Sequence, residues 1–222
     1  GGLRRKNLHK RLLAQLNFIH DPYDTHEEII RHFPPAHTRF FLLLSSSHRW
    51  DSLISPGHPF WRAWAQTLVA QGYSVGIHPS YRSREKPALI LQEKALLEAH
   101  TGQPVTFARQ HYLRYFWPDT FYRLAEAGIK ADYSMAFPER SGFLLGTALP
   151  TSLYDASREQ AMPLWFHPVA LMDQVYLRRE DEEGLAKEVR RLYEVVARTG
   201  GKLHFLWHNS TWEAADALRR LL

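Results

Sequence analysis

Three short segments of this chain carry a histidine at the point where a strand-like apolar run ends. They span residues 76–81, 108–112 and 205–210, and their histidines are His78, His111 and His208. In barrels of parallel strands, the carboxyl ends of the strands meet on one face, where such folds carry their chemistry. Three imidazoles delivered there would form a metal site or an acid–base site, whereas three histidines on separate faces would share no role.

The polar residues near these histidines limit the roles that the site could have. Arg109 lies beside His111 at a strand end, and a buried arginine is costly unless a carboxylate or a ligand pairs with it. A structural bridge to Asp132 or Asp173 would satisfy Arg109 without any function, and a ligand would satisfy it equally well. Asp132 and Asp173 can also orient a histidine from behind. His208 is a candidate general acid, because imidazole titrates near the pH at which enzymes work.

Composition sets the class of protein. The 222 residues are 45% hydrophobic and 23% charged, which predicts one globular domain. The net charge is +5, and the basic residues are dispersed along the chain except for a group within 4–11. We interpret that group as a solvated helix face and expect no nucleic-acid partner. The absence of cysteine excludes disulfides, thiolate catalysis and cysteine metal sites. No apolar run approaches the roughly 20 residues of a membrane span, and no signal peptide is recognisable. We therefore expect a cytoplasmic protein.

The order of the predicted elements indicates an α/β fold. Helices are predicted over 3–17, from a cap at Asp24 or Thr25 to Phe33, and over 58–71, 88–100, 118–127, 181–198 and 211–222. Strands are predicted over 39–44, 73–78, 105–110, 129–134, 164–172 and 202–208. Such alternation is typical of a parallel sheet wrapped by helices, and a barrel and a doubly wound sheet both satisfy it. No glycine-rich phosphate-binding motif follows the first strand, which disfavours nucleotide-binding folds. We expect a single domain over 1–222, with 1–20 as a peripheral helical extension.

Taken together, the segments resemble the polysaccharide deacetylase (NodB-homology) superfamily of carbohydrate esterases, and within it a bacterial branch of uncharacterised deacetylase-like proteins. The matching segments follow the family order along nearly the whole chain: 21–25, 76–81, 109–114, 142–147 and 206–210. Each segment alone is weak evidence for the family, but the five segments together are quite specific to it. The resemblance implies a distorted (β/α) barrel with about seven strands.

The resemblance also implies a role for each segment. His78 falls in the histidine motif that supplies metal ligands. Arg109 falls in the motif whose arginine orients the catalytic base, and Asp132 lies near the fourth motif. His208 falls in the final motif, whose histidine is the general acid. The resemblance thus implies His208, Arg109 and Asp132 as catalytic residues.

The sequence departs from the family pattern at two places. The family has a second histidine four positions after His78, where this chain has Arg82, and His111 is our candidate for the replacement ligand. The family also has an acidic pair at the end of its first strand, expected here as His-Asp-x-Asp before Asp21. Either this motif precedes the given residues or the protein lacks it. In the second case the barrel lacks its first strand and hydrolysis is in doubt, with Asp21 and Asp24 as the nearest substitutes.

These expectations lead to one main hypothesis and two alternatives. We expect a hydrolase that removes acetyl groups from a carbohydrate with a divalent metal such as zinc, held by His78, His111 and an acidic residue. Three aromatic residues are expected to contact the sugar: Tyr81, Tyr112 and Trp207. The first alternative is a catalytically inactive protein that binds or helps to assemble a glycan through the same cleft. The second is a hydrolase of a non-glycan C–N bond, because a fold does not fix a substrate.

Overall fold

The computed structural model describes residues 25–177, 182–209 and 211. The predicted helix over 3–17 and the expected extension over 1–20 lie outside these residues, as does nearly all of the predicted helix over 211–222. The described residues form six α-helices: α1 (His26–His32), α2 (Pro59–Ala70), α3 (Ala88–Thr101), α4 (Asp119–Glu126), α5 (Asp173–Leu177) and α6 (Glu182–Thr199). The predictions over 58–71, 88–100, 118–127 and 181–198 match α2, α3, α4 and α6 to within two residues at each end.

Most strands of the described residues run parallel. The strands are β1 (Arg39–Leu42), β2 (Ser74–Ile77), β3 (Phe107–Ala108), β4 (Ala131–Asp132), β5 (Tyr154–Asp155), β6 (Gln160–Ala161), β7 (Trp165–Phe166), β8 (Val169–Met172) and β9 (His204–Leu206). One sheet has the order β1-β2-β3-β4-β7, with every neighbouring pair parallel. β8 and β9 form a second parallel pair, and β5 and β6 form a small antiparallel ribbon. The parallel α/β architecture predicted from the sequence is therefore confirmed.

The run over 164–172, predicted as one strand, is two strands that belong to different sheets. Pro168 separates β7 from β8, and proline cannot donate the backbone hydrogen bond that a continuous ladder needs. The N–H of Val169 instead donates to the carbonyl of Met135 at 3.0 Å, beyond the end of β4. The proline thus turns the chain from the larger sheet toward the β8–β9 pair.

The two parallel sheets leave an open seam. Within the described residues, β1 pairs only with β2, and β9 pairs only with β8. A cleft of about 1090 Å³ lies between residues 38–43, along β1, and residues 203–209, along β9. We call it the seam cleft. The ladders of the described strands do not form the closed barrel that the resemblance implies, so closure stays a prediction.

Aromatic side chains fill the space beside the sheet. The ring centroid of Phe41 in β1 lies 5.6 Å from that of Phe107 in β3 and 5.4 Å from that of Tyr133 after β4. Phe107 also presses against β2, because a Cβ on Gly76 would lie 2.3 Å from its ring and 2.8 Å from its carbonyl oxygen. Glycine is therefore required in β2 so that the two strands can approach. α2 and α3 pack against β2 and against each other.

Candidate functional site

Residues that follow β2, β3 and β9 line the seam cleft together. His78, Arg109, His111 and His208 all line it. Each lies one to three residues beyond the end of its strand, and the carboxyl ends of parallel strands lie on the same side of a sheet. The convergence expected from the sequence is therefore present, although the four residues come from distant parts of the chain.

His78 and His111 form the most closely coupled pair in the cleft. The Nε2 atom of His78 lies 3.0 Å from the Nδ1 atom of His111. The other nitrogen of His78, Nδ1, lies 2.5 Å from the carbonyl oxygen of Arg109, and the other nitrogen of His111, Nε2, lies 2.7 Å from the carbonyl oxygen of Trp50. A carbonyl oxygen can only accept, so both of these outer nitrogens must carry the hydrogen. The two nitrogens that face each other are therefore both lone pairs when the rings are neutral.

Burial keeps both rings neutral. Burial first, and then the charges of Arg109, His111 and His208, hold the pKa of His78 well below its ordinary value, against the opposing bond to the Arg109 carbonyl. Burial likewise lowers the pKa of His111, although the Trp50 carbonyl and the charge of Asp51 oppose it. Two lone pairs 3.0 Å apart repel each other unless a cation lies between them.

That arrangement fits a metal ion. Metal-bound histidines commonly donate the second ring N–H to a backbone carbonyl, which fixes the tautomer and aims the other nitrogen at the metal. His78 and His111 both have this geometry, and imidazole nitrogen is a standard zinc ligand. A cluster of three or more histidine, cysteine, aspartate or glutamate side chains that could share one metal is not found among the residues described. The described part of the chain therefore offers two nitrogen ligands.

His208 is held by a buried carboxylate. Its Nδ1 lies 2.7 Å from Oδ1 of Asp173, and its backbone N–H donates to Oδ2 at 2.9 Å. Thr211 donates its hydroxyl to the same Oδ2. Burial would raise the pKa of Asp173, but the bonds from His208 and Thr211 hold it below its ordinary value. The ionised Asp173 fixes the hydrogen on Nδ1, which leaves Nε2 of His208 as the atom that can exchange a proton with a ligand.

Among the described residues, Arg109 has no carboxylate partner. Its side chain is 5% exposed, and within the same residues its Nε has no hydrogen-bond partner and its Nη2 reaches only the sulfur of Met172 at 3.9 Å. Burial lowers the pKa of Arg109 to about 10, and the charges of Asp173 and Asp132 oppose that shift from a distance. Within the described chain, no ion pair to either carboxylate is formed. The structural bridge considered from the sequence is therefore not present there.

Asp132 lies behind the cleft and does not line it. Its side chain is fully buried, and both oxygens accept from Ser134, from its N–H at 2.7 Å and from its hydroxyl at 2.9 Å. Burial raises the pKa of Asp132 to about 7, against the bonds from Ser134 and the charge of Arg109. The Ser134 hydroxyl also accepts from the N–H of Gln110 at 2.8 Å. Asp132 thus has no direct contact with the cleft. It is linked to the site through Ser134, which accepts from the N–H of Gln110, and through its charge, which acts on Arg109.

Aromatic rings stand beside the histidine pair. Tyr112 is 55% exposed, and its ring centroid lies 4.7 Å from that of His111 and 5.8 Å from those of Tyr81 and Trp50. Tyr112 and Leu113 both have positive φ, at 56° and 52°. Two consecutive non-glycine residues in this region store backbone strain. That backbone conformation holds the ring of Tyr112 outward beside the site.

The predicted sugar-contacting residues divide into two groups. Trp207 lines the seam cleft, and its buried indole N–H has no hydrogen-bond partner in the part of the chain that the structure describes. Tyr81 and Tyr112 do not line the cleft, and their rings lie next to each other outside it. The three residues could therefore contact different parts of an extended ligand.

Two carboxylates that sequence reasoning did not assign to the site hold the loop that carries His78. Ser80 N–H donates to Oε2 of Glu93 at 2.9 Å, and Tyr81 N–H donates to Oδ1 of Asp51 at 2.8 Å. Both carboxylates are buried. Burial raises the pKa of Glu93 to about 7, and the charge of Asp51 adds to the increase, against the bonds from Ser80. The only sequence signal was Glu93 on the buried face of α3, which is unusual for a glutamate.

Among known proteins, only solved structures match this chain. No protein-family model and no curated protein matches the chain. Among solved structures, the chain is similar to that of a "putative polysaccharide deacetylase from Mycobacterium smegmatis", with a TM-score of 0.60 and 17% identity. The alignment covers 90% of this chain and 68% of that one.

The two chains share a fold. At this level of identity the likeness concerns the fold alone, and it supports a mixed α/β fold with a mostly parallel sheet. In the described residues, no helix is both long enough and apolar enough to cross a membrane.

Proposed function

We propose that this protein belongs to the polysaccharide deacetylase superfamily and is a metal-dependent hydrolase that removes acetyl groups from a carbohydrate. One observation carries the proposal: two facing imidazole lone pairs, at 3.0 Å, open into the same cleft as a carboxylate-held histidine. The fold likeness to a solved structure described as a deacetylase supports it.

His78 and His111 are the residues that would hold the metal, with zinc as the proposed ion because imidazole is one of its standard ligands. When bound, a zinc ion supplies Lewis acidity, which allows water to act as a nucleophile near neutral pH. The carbonyls of Arg109 and Trp50 keep the two ligand nitrogens unprotonated and aimed at one point. Their low pKa values mean that protons compete weakly with the metal at neutral pH.

His208 is the general acid of this proposal. Hydrolysis of an acetamide or an acetyl ester releases acetate and a sugar amine or hydroxyl, and the leaving atom must gain a proton. The Nε2 atom of His208 is the atom that can pass on this proton, because Asp173 fixes the hydrogen on Nδ1. Thr211 and the backbone N–H of His208 in turn orient Asp173.

Arg109 and Asp132 have supporting roles in the proposal. The resemblance implies that Arg109 orients a carboxylate. Arg109 lines the cleft, and its Nε–H has no acceptor among the described residues. Asp132 acts on the site through the charge of Arg109, which makes it a positioning residue. Tyr81, Tyr112 and Trp207 would contact the sugar rings, because aromatic faces stack well on apolar ring faces.

The test is a comparison of His208→Ala with the wild type on acetylated oligosaccharides, with zinc supplied. We expect His208→Ala to lose acetate release almost completely and to retain zinc, because His208 is not among the ligands. Acetate release at the wild-type rate by His208→Ala would remove His208 from the mechanism. A wild-type protein that binds the oligosaccharide but releases no acetate would instead support the alternative of a glycan-binding protein. Release of acid from small amides alone would favour a non-glycan substrate.

A further inference from the structure

The loop between β1 and α2 contacts both histidine-bearing loops of the site. Trp50 lies in this loop, and its carbonyl oxygen is 2.7 Å from Nε2 of His111. The next residue, Asp51, accepts from the N–H of Tyr81 at 2.8 Å, and Tyr81 follows His78 in the loop after β2. Two adjacent residues therefore reach both segments that carry the facing ring nitrogens.

The carboxylate of Asp51 also fixes the shape of this loop, residues 45–52, which we call the serine loop. Its Oδ2 accepts from the hydroxyl of Ser45 at 2.9 Å and from the hydroxyl of Ser47 at 3.3 Å. Its Oδ1 accepts from Tyr81, and the whole side chain is buried. One carboxylate thus closes the serine loop and fastens it to the loop that carries His78.

One peptide unit carries both the N–H of Asp51 and the carbonyl of Trp50. A trans peptide unit is planar, so its N–H and its C=O point in opposite directions. The N–H donates back into the serine loop, to the carbonyl of His48 at 2.8 Å. The C=O therefore points out of the loop, toward His111. The bonds that Asp51 makes thus determine where the Trp50 carbonyl is aimed.

The tautomer of His111 decides whether the histidine pair can bind a cation. With its hydrogen on Nε2, shared with Trp50, His111 presents a lone pair on Nδ1 to the Nε2 atom of His78. In the other tautomer, Nδ1 would donate to His78 in an ordinary hydrogen bond between two neutral rings. That bond would occupy both nitrogens and leave neither as a metal ligand. The pair therefore depends on a carbonyl that keeps the hydrogen of His111 on Nε2.

We propose that Asp51 is a positioning residue for the histidine pair, because it aims the Trp50 carbonyl at His111 and ties the serine loop to the backbone that follows His78. A carboxylate suits this role, since it accepts from three donors and its charged hydrogen bonds are stronger than neutral ones. The inference rests on the proposed function for the identity of the metal. The tautomer of His111, in contrast, can be measured without any metal.

The first measurement is the tautomer of His111 in metal-free protein with ¹⁵N-labelled histidines. Long-range ¹H–¹⁵N spectra near pH 8 distinguish a hydrogen on Nε2 from a hydrogen on Nδ1, and the signals of this ring are assigned by their loss in His111→Ala. We expect the Nε2 form in the wild type and its replacement by the Nδ1 form in Asp51→Ala. Retention of the Nε2 form in Asp51→Ala would overturn the proposal.

The second measurement is zinc affinity by equilibrium dialysis. Asp51→Ala should bind zinc about tenfold to a hundredfold more weakly than the wild type, the usual effect of removing a group that orients a ligand. If Asp51→Ala does not fold, Asp51→Asn decides in its place. It keeps the shape and one acceptor oxygen, so its zinc affinity should fall by a smaller factor. Wild-type zinc affinity in the folded variant would overturn the proposal.

Asp155→Ala is the matched control. Asp155 is also a buried aspartate, and it accepts from the hydroxyl of Ser157 at 2.6 Å, from the N–H of Ser157 at 2.9 Å and from the hydroxyl of Tyr122 at 3.0 Å. It lies in β5 and is not among the described residues that line the seam cleft. Asp155→Ala should lower the unfolding temperature but leave the tautomer of His111 and the zinc affinity unchanged.

The control separates positioning from stability. Equal losses of zinc affinity in Asp51→Ala and Asp155→Ala would indicate a general effect of destabilisation and would overturn the proposal. A wild-type protein that binds no zinc would count against the proposed function alone, because the tautomer of His111 in metal-free samples still decides the role of Asp51.

Discussion

The ring nitrogens of His78 and His111 that face each other lie 3.0 Å apart, and the carbonyls of Arg109 and Trp50 fix both as lone pairs. This relationship is unfavourable for two neutral rings alone and favourable for two ligands of one cation. It distinguishes the pair from an ordinary histidine–histidine hydrogen bond, in which one nitrogen donates.

The first prediction concerns zinc binding. His78→Ala and His111→Ala should each lower zinc affinity at least about tenfold, because each removes one of the two nitrogen ligands that the described residues offer. Equilibrium dialysis with metal analysis measures this directly. His32→Ala, which removes an exposed histidine of α1, is the control and should bind zinc as the wild type does. Unaltered zinc retention in both site variants would rule out the proposed metal site.

The second prediction concerns the Asp173–His208 pair. Asp173→Asn keeps the shape of the side chain but removes the carboxylate that holds the hydrogen on Nδ1 of His208, so kcat should fall about 10²–10⁴-fold with a small change in KM. Thr211→Val should have a smaller effect, because Asp173 keeps its bonds to His208. Steady-state kinetics on an acetylated oligosaccharide measures both. An Asp173→Asn enzyme with normal kcat would show that the pair serves stability alone.

The third prediction concerns the pH dependence of stability through Glu93. Its folded-state pKa is raised to about 7 from 4.5, so the folded protein holds a proton that the unfolded chain releases as the pH rises between these values. The glutamate therefore costs stability progressively from pH 4.5 to 7 and to its full extent above 7. Glu93→Gln should unfold at the wild-type denaturant concentration near pH 4 and be more stable by up to about 3 kcal/mol at pH 8.

Glu98, in the same helix α3, is the control for that measurement. Burial would raise its pKa, but the bonds from Lys94 and from the N–H of Val105 hold it below its ordinary value. Its contribution to stability is present above the unfolded pKa and is lost as the pH falls. Glu98→Gln should therefore destabilise the protein at neutral pH, the opposite sign to Glu93→Gln. Parallel pH profiles for the two variants would contradict the assignment.

The fourth prediction concerns the strained backbone at Tyr112. Glycine adopts a φ of 56° without penalty, so Tyr112→Gly should relieve about 1 kcal/mol of strain and leave the unfolding temperature unchanged or higher. The same variant should raise KM for an oligosaccharide, because it removes the exposed ring beside His111. Tyr193→Ala, on the exposed face of α6, should change neither quantity. Unchanged KM in Tyr112→Gly would exclude Tyr112 from the sugar-contacting surface.

The sequence determined the local features of this protein. Apolar runs that end in histidine located the ends of β2, β3 and β9, because a strand stops where proline or a polar cluster interrupts its ladder. The alternation of strands and helices predicted the parallel sheet, and the pattern of motifs indicated His78, Arg109, His111 and His208. The break at Pro168 was missed, although a proline inside a strand-like run already argues against one continuous strand. Only the structure shows that the second half of the run joins a different sheet.

Only the tertiary structure decided how these residues act on each other. The carbonyl of Trp50 fixes the tautomer of His111, and any residue type could supply that carbonyl, so no pattern of side chains reveals it. Asp173 pairs with His208 and not with Arg109, a choice between two plausible partners that depends on where β8 and β9 lie. Spacing along a chain fixes which residues end a strand, whereas contact between strands far apart in sequence depends on packing of the whole sheet.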